Sequence, residues 1–301
     1  MRLGYACINM SLGKEVTTNR TMTNATFQRK GLPYVSELAL KNSKDIIKIL
    51  KWNVSNGIHF FRLSSMIIPW SDRIDIEQLP AYKGIVTALK EAGDFATDNG
   101  IRINSHPGPF VVLTSPKEEV VKNAIVDLEM HGRIFDMMGL SHTPYNNINI
   151  HCNGVYGDKQ SAMDRFCDNF NRLSHSVKSR LTVENDDKAS MYSIKDLMYI
   201  HSKTGVPLVF DYHHHQFCTG GLTEEEALKL AATTWPEGIT QEVHYSESKA
   251  LHENNPKEKP QAHSLYINSL PNNYGLNIDC MVEAKGKELA ILPFVKKRIL
   301  V

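Results

Sequence analysis

No run of about 18 apolar residues occurs in the 301-residue chain, so no membrane span is expected. The opening MRLGYACINM lacks the apolar core of a signal peptide. The chain is therefore expected inside the cell, cytoplasmic in a prokaryote or nuclear in a eukaryote. A surplus of one charge is also missing: 34 Lys and Arg face 33 Asp and Glu, for a formal net charge of +1. Nucleic-acid binders usually carry a basic excess, so any such surface here must be local or completed by bound cations. The five cysteines form no C-x-x-C pair. They read as reduced, mostly buried thiols, which excludes a disulfide framework. A G-x-G-x-x-G loop is absent too, which weighs against a doubly wound nucleotide-binding sheet. No low-complexity stretch or interdomain linker breaks the chain.

What is present is alternation. Short apolar, β-rich runs precede longer stretches with helical spacing. Strands are expected at Leu3–Cys7, His59–Leu63, Arg102–Ser105, Asn147–His151, Leu181–Glu184, Leu208–Asp211, Glu242–Tyr245 and Asn277–Glu283. Helices are expected at Ser43–Asn56, Pro80–Asn99, Pro116–Met138, Asp158–Lys178, Ser193–Lys203, Thr223–Thr233 and Lys287–Lys296. Ser43 and the Ser115-Pro116 pair read as helix starts, and Asn56-Gly57, Asn99-Gly100 and Gly139 as stops. Met10–Gly31 and Asn254–Pro260 read as long polar loops. Eight such alternations, with a weak last crossover, fit a single (β/α)₈ TIM barrel over residues 1–301.

In a (β/α)₈ barrel the carboxyl ends of the strands face the active site. Tyr5 and then Asn9 follow the first strand, and Arg62, Ser64 and Ser65 close the second. His106, His151, Glu184, Asp211, His244 and Glu283 end the next six. Any one of these reads as a wall residue or a helix cap. Together, crowded carboxylates would repel one another unless cations sat between them. Mixed imidazole and carboxylate ligands suit Zn²⁺, Mn²⁺ or Fe²⁺ rather than Ca²⁺ or a lone Mg²⁺. In VFDYHHH, the D-x-x-H spacing brings Asp211 and His214 to one cluster. His213 then reads as a wall residue and His215 as a cap or surface residue.

The motifs LGYACIN, FFRLSS, SHPGPF, NIHCNGVYGDK, LTVENDD, VFDYHHH, VHYS and MVEAKGKELAIL occur in that order over nearly the whole chain. Together they resemble the UV damage endonucleases of the UvdE family, metal-dependent TIM barrels related to endonuclease IV. The resemblance implies hydrolysis of the phosphodiester 5′ of a damaged base in double-stranded DNA, leaving a 3′-hydroxyl and a 5′-phosphate. It implies two or three divalent ions, manganese first and zinc as the alternative, and no obligate protein partner. His106, His151 and Glu184 are then expected around a first metal. Glu184, Asp211, His244 and Glu283 are expected around a second, with Glu184 bridging, and His214 and His263 around a third. Glu184, His244 and Glu242 form the expected catalytic set. Tyr5, Asn9, Pro109 and Phe110 are expected to meet the lesion. Arg62, Lys159, Lys249 and Lys285 are candidates for the DNA backbone.

Three positions depart from the family pattern. Pro109-Phe110 stands where Gln-Tyr is usual, which exchanges polar probing for stacking. Glu242 stands where a lysine modified to a carbamate is frequent. Asp72 stands near the place of a histidine. Three other readings share parts of the pattern. One is an abasic-site endonuclease of the endonuclease IV type. Another is a sugar isomerase on the same metal-lined barrel, against which His214 and His263 weigh. The third is a non-catalytic binder of distorted DNA.

Overall fold

The structure is a computed structural model that describes residues 1–299. Eight parallel strands close into a barrel in sequence order. They are β1 (Arg2–Ala6), β2 (Phe60–Leu63), β3 (Arg102–Ser105), β4 (Ile148–His151), β5 (Leu181–Glu184), β6 (Leu208–Asp211), β7 (Gln241–Tyr245) and β8 (Ile278–Val282). Ten α-helices surround or cap the barrel among the described residues. They are α1 (Asn24–Ser55), α2 (Tyr82–Asp98), α3 (Glu118–Met138), α4 (Lys159–Phe170), α5 (His175–Lys178), α6 (Ile194–Thr204), α7 (Tyr212–His215), α8 (Glu224–Ala232), α9 (Lys249–His252) and α10 (Glu288–Ile299). The expected barrel is present, with each expected strand in place to within a residue or two.

Strand alternation separates two cores. Outward residues such as Leu3, Tyr5, Phe61, Ile103, Ile150 and Val183 pack under the helices. Inside the barrel, Ala6, Phe60 and Met281 form a small apolar floor. Beside that floor lies buried Arg102, which donates to the carbonyls of Tyr145, Thr240 and Pro144 and to Asp279. A buried guanidinium is tolerated only when its donors are met in this way. Gly4 is required here, because a Cβ would lie 2.7 Å from the Phe60 ring.

Several helix boundaries differ from expectation. Residues 24–30, expected as loop, are helical because Thr23 caps them by accepting from the Thr26 amide. Gly31 then kinks α1 with φ 59°. Ser43 is not a cap; it lies inside α1 and its hydroxyl donates to the Ala39 carbonyl. The helix expected from Pro116 begins at Glu118, and Ser115 accepts from the Lys117 amide just ahead of it. The helix expected across 158–178 is two, α4 and α5, with Ser174 capping the second. Capping boxes at Ser193–Asp196 and Thr223–Glu226 fix the starts of α6 and α8.

Candidate active site

Register brings the polar strand ends together. His151 on β4 pairs with Glu184 on β5, and Asp211 on β6 pairs with His244 on β7. Period-two alternation then points all four side chains into the barrel mouth. Two convergent sets result. His106, His151 and Glu184 each offer one ligand atom within 4.8 Å of the others, and so do Glu184, Asp211 and His244. Glu184 belongs to both sets. Its Oε2 lies 3.2 Å from His106 Nε2, 3.7 Å from His151 Nε2 and 2.9 Å from His244 Nδ1. Its Oε1 lies 3.2 Å from His214 Nδ1. Ligands about 2.1 Å from a tetrahedral ion lie roughly 3.4 Å apart, so these spacings suit a small cation.

Orphaned buried atoms test the fit independently. Glu184 Oε1, Asp211 Oδ2 and His244 Nδ1 are buried with no hydrogen-bond partner. Three such atoms in one place are costly in a native fold unless a further group satisfies them. The donor set, imidazole with carboxylate, matches a divalent transition-type ion. These residues could therefore hold metal.

A surrounding layer orients the ligands. His106 Nδ1 faces the Pro107 carbonyl at 3.0 Å, which leaves Nε2 toward Glu184. His151 Nδ1 faces Asp186 at 3.2 Å. Asn149 donates to Glu184 Oε2. Glu242 Oε1 meets His244 Nε2 at 3.0 Å and accepts from Asn104, while its Oε2 lies 3.4 Å from Arg102. Arg62 contacts Glu283 at 2.5 Å and His244 Nε2 at 2.7 Å. Asp211 caps α7 by accepting from the His214 amide at 2.8 Å. That cap is the local reason for the D-x-x-H spacing, because it fixes the turn that carries His214 back over Glu184.

The charges are strongly coupled. Burial opposes ionisation of Glu184, but His244 and His151 outweigh it and hold the carboxyl well below its usual range. Burial likewise disfavours a charged His244, yet Glu184 prevails and pushes that imidazole up to about 10. His214 is raised well above its ordinary value because Asp211 and Glu184 overcome burial. His151 is raised for the same reason, chiefly by Glu184. His106 is lowered by burial, against its hydrogen bond to Glu184.

The family model of the UV-endonuclease UvdE matches residues 1–299. The chain belongs to the UvdE family. It is 37% identical to a UV-damage endonuclease of Schizosaccharomyces pombe, over 98% of this chain and 50% of that protein. It is 33% identical to a UV DNA damage endonuclease of Bacillus cereus, over 98% of this chain and 93% of that protein. The chain thus spans about half the length of the fission-yeast relative and nearly all of the bacterial one. The crystal structure of SacUVDE superposes with a TM-score of 0.84 at 33% identity, covering 98% of this chain and 97% of that one. Endonuclease IV from Thermus thermophilus shares the fold, with a TM-score of 0.59 at 12% identity over 99% of this chain and 100% of that one.

Against the UvdE resemblance, the two main ligand sets are gathered, while several other expected residues sit elsewhere. Glu283 lies 3.5 Å from His244 Nδ1 but is engaged by Arg62. No third convergent set exists among the described residues. The His214 and His263 rings are 6.3 Å apart, and His263 Nδ1 is 3.9 Å from Glu283. His213 is buried with its ring 5.6 Å from that of His263, and neither of its ring nitrogens has a hydrogen-bond partner. His215 is not on the surface; it is buried against Phe210.

Tyr5 and Asn9 do not face the cleft where a lesion would lie. Alternation along β1 turns Tyr5 outward beneath α1, where its hydroxyl donates to Asn53 and accepts from Asn9. Both residues are buried, which corrects the expectation that they meet DNA. Asp72 stands outside both ligand sets and pairs with Arg73. Arg62 is buried and lines the cavity beside His106, His151 and Glu283 rather than standing exposed on a loop. Lys159 pairs with Asp196 and Lys249 with Glu258. Pro109 lines the cavity over the ligands, and Phe110 projects at the loop crest with 89% of its surface exposed. Sequence reasoning missed Asn104, Asn149, Arg102 and Asp186. Position was the available signal for the first three, because each sits on the inward face of its strand.

Proposed function

We propose that this chain is a divalent-metal-dependent endonuclease that cuts double-stranded DNA 5′ of a damaged base, leaving a 3′-hydroxyl and a 5′-phosphate. The observation that carries this reading is Glu184, a fully buried carboxylate common to two converging ligand sets beneath an open cavity of about 370 Å³. His106, His151 and Glu184 would hold one cation, and Glu184, Asp211 and His244 a second. Glu283 would complete the second once released from Arg62, and His214 and His263 are the candidates for a third. Mn²⁺ is the proposed ion, with Zn²⁺ the alternative. Bound cations neutralise phosphate charge and acidify water, which is the chemistry phosphodiester hydrolysis needs near neutral pH.

The chain's own residues do the rest. The Pro107 carbonyl and Glu242 fix the ring orientation of His106 and His244. Arg62, lining the cavity, supplies a cation to the phosphate. Phe110 enters the distorted duplex and stacks on exposed bases. Pro109 brings no side-chain donor, so lesion choice rests on stacking and on how easily the duplex deforms. The test is nicking of UV-irradiated and undamaged duplexes with Mn²⁺, with and without a chelator. Selective, chelator-sensitive nicking of irradiated DNA is expected, and equal cutting of both duplexes contradicts the reading.

A further inference from the structure

The turn after β8 packs against the loop that leads from β7 to β8. The Lys285 and Gly286 amides donate to the Ser264 and Leu265 carbonyls at 2.9 and 2.7 Å. Gly286 is required there, because a Cβ would lie 2.5 Å from the Leu265 oxygen and 3.1 Å from the Tyr266 ring. Tyr266 therefore rests its ring on backbone, and 47% of the residue stays exposed. Leu265 is exposed beside it. So is Met10, whose neighbour Ser11 donates its amide to Glu288 at the end of the same turn. Exposed apolar surface gathered in one patch marks a binding site more often than scattered residues do. The patch adjoins the metal ligands, since His263, three residues before Tyr266, has its Nδ1 3.9 Å from Glu283.

Two lysines frame it. Lys285 is exposed and Lys287 half-buried. Lys159 and Lys249 are matched by Asp196 and Glu258, whereas neither Lys285 nor Lys287 is ion-paired among the described residues. Lys287 also holds a left-handed backbone, with φ 55°. That conformation is costly for a residue with a side chain, and such strain gathers where a ligand is gripped.

We propose that Tyr266 stacks on the base of the nucleotide immediately 5′ of the cut, and that Lys285 and Lys287 hold the phosphate next to it. The inference rests on the DNA reading above. Eight strands in sequence order place β7 across the barrel from β3. Phe110, after β3, and Tyr266, after β7, thus stand on opposite rims with the metal ligands between them. The cut lies 5′ of the lesion. A strand whose damaged base meets Phe110 and whose cut bond lies over the ligands brings its 5′ nucleotide to the Tyr266 rim. Every base has a π-face, so a ring platform holds that nucleotide whatever its identity. Lysine adds a point charge suited to phosphate, which fixes register without reading sequence. The nucleotide that gains the new 3′-hydroxyl is then held on both its base and its backbone.

The experiment follows cutting of duplexes with one thymine photoproduct by the Mn²⁺-loaded protein. Products are resolved to single nucleotides, so that cuts at other bonds are counted apart. The nucleotide 5′ of the cut either keeps its base or is abasic. Wild type should lose about tenfold in kcat/KM on the abasic duplex, chiefly through KM, which is the order of one lost stacking contact. Tyr266→Ala should fall about tenfold on the intact duplex and lose nothing further when the base is removed. Tyr266→Phe, which keeps the ring, should restore the wild-type response. Tyr266 lies outside both ligand sets, so each variant should bind Mn²⁺ as wild type does in calorimetry. Replacing both lysines by Gln should lower the slope of log affinity against log salt by about one, the share of one phosphate contact. Wild type indifferent to the upstream base, a further loss by Tyr266→Ala on the abasic duplex equal to that of wild type, or an unchanged salt slope overturns the proposal. Wild type that cuts the intact photoproduct duplex no better than undamaged DNA overturns the underlying DNA reading instead, and the intact duplexes alone reveal that.

Discussion

Replacing Glu242 by Gln isolates the layer behind the ligands. Two groups compete for His244 Nε2: the Glu242 carboxylate, an acceptor at 3.0 Å, and the Arg62 guanidinium, a donor at 2.7 Å. While Glu242 prevails, Nε2 carries a proton and Nδ1, 2.9 Å from Glu184, is available as a ligand. Glutamine is nearly the same shape but has lost the charge, so Arg62 prevails and the proton moves to Nδ1. Orienting partners of this kind are worth about 10- to 100-fold in metal affinity, or roughly 1.4–2.7 kcal/mol. The fold should survive, because Arg102 keeps Asp279 and three backbone carbonyls. The assay is Mn²⁺ titration by calorimetry, with circular dichroism as the folding control. A folded Glu242→Gln protein that binds Mn²⁺ within twofold of wild type refutes the reasoning.

Metal uptake should release protons, since His244 is pushed up to about 10 and His214 and His151 are raised. Mn²⁺ affinity should then rise with pH, by up to about tenfold per unit for each proton displaced, in calorimetry across buffers of differing ionisation enthalpy. Without metal the sign reverses for folding: the His244 contribution is full below about 6.5 and lost as pH climbs toward about 10. Phe110→Ala should leave urea stability and Mn²⁺ binding unchanged but weaken binding to a damaged duplex by about 5- to 160-fold, the range of one lost base stack. Gly93→Ala should cost about 2 kcal/mol or more in urea denaturation, because its Cβ would sit 1.8 Å from the Met138 carbonyl between α2 and α3. An unchanged midpoint would show that the two helices separate easily.

Most of the barrel was legible because short strands alternate with helical stretches along the chain, and β3, β5 and β6 begin and end where they were expected. The ligands were legible because each closes a strand, and barrel geometry aims strand ends at one axis. Direction was harder to read than position. Tyr5 sits at the right strand end, but alternation with inward Gly4 sends it under α1 to Asn53. The start of α1 was hidden because Thr23 caps a polar segment with no apolar period. His263 lies on a long loop held by an isolated bridge to Ser248 and by backbone bonds from Lys285 and Gly286 to Ser264 and Leu265. Periodicity carries no information about such a contact. His215 could not be placed because three consecutive histidines on one helical turn face different neighbours, and Phe210 covers this one.

Metal stoichiometry tests the central claim most directly. Wild-type protein and Glu184→Ala, both shown to be folded, are equilibrated with Mn²⁺, desalted and analysed by mass spectrometry for metal per chain. Two or more ions in wild type and at most one in the variant are predicted, because Glu184 serves both ligand sets. No retained metal in wild type, or equal metal in both proteins, contradicts the account.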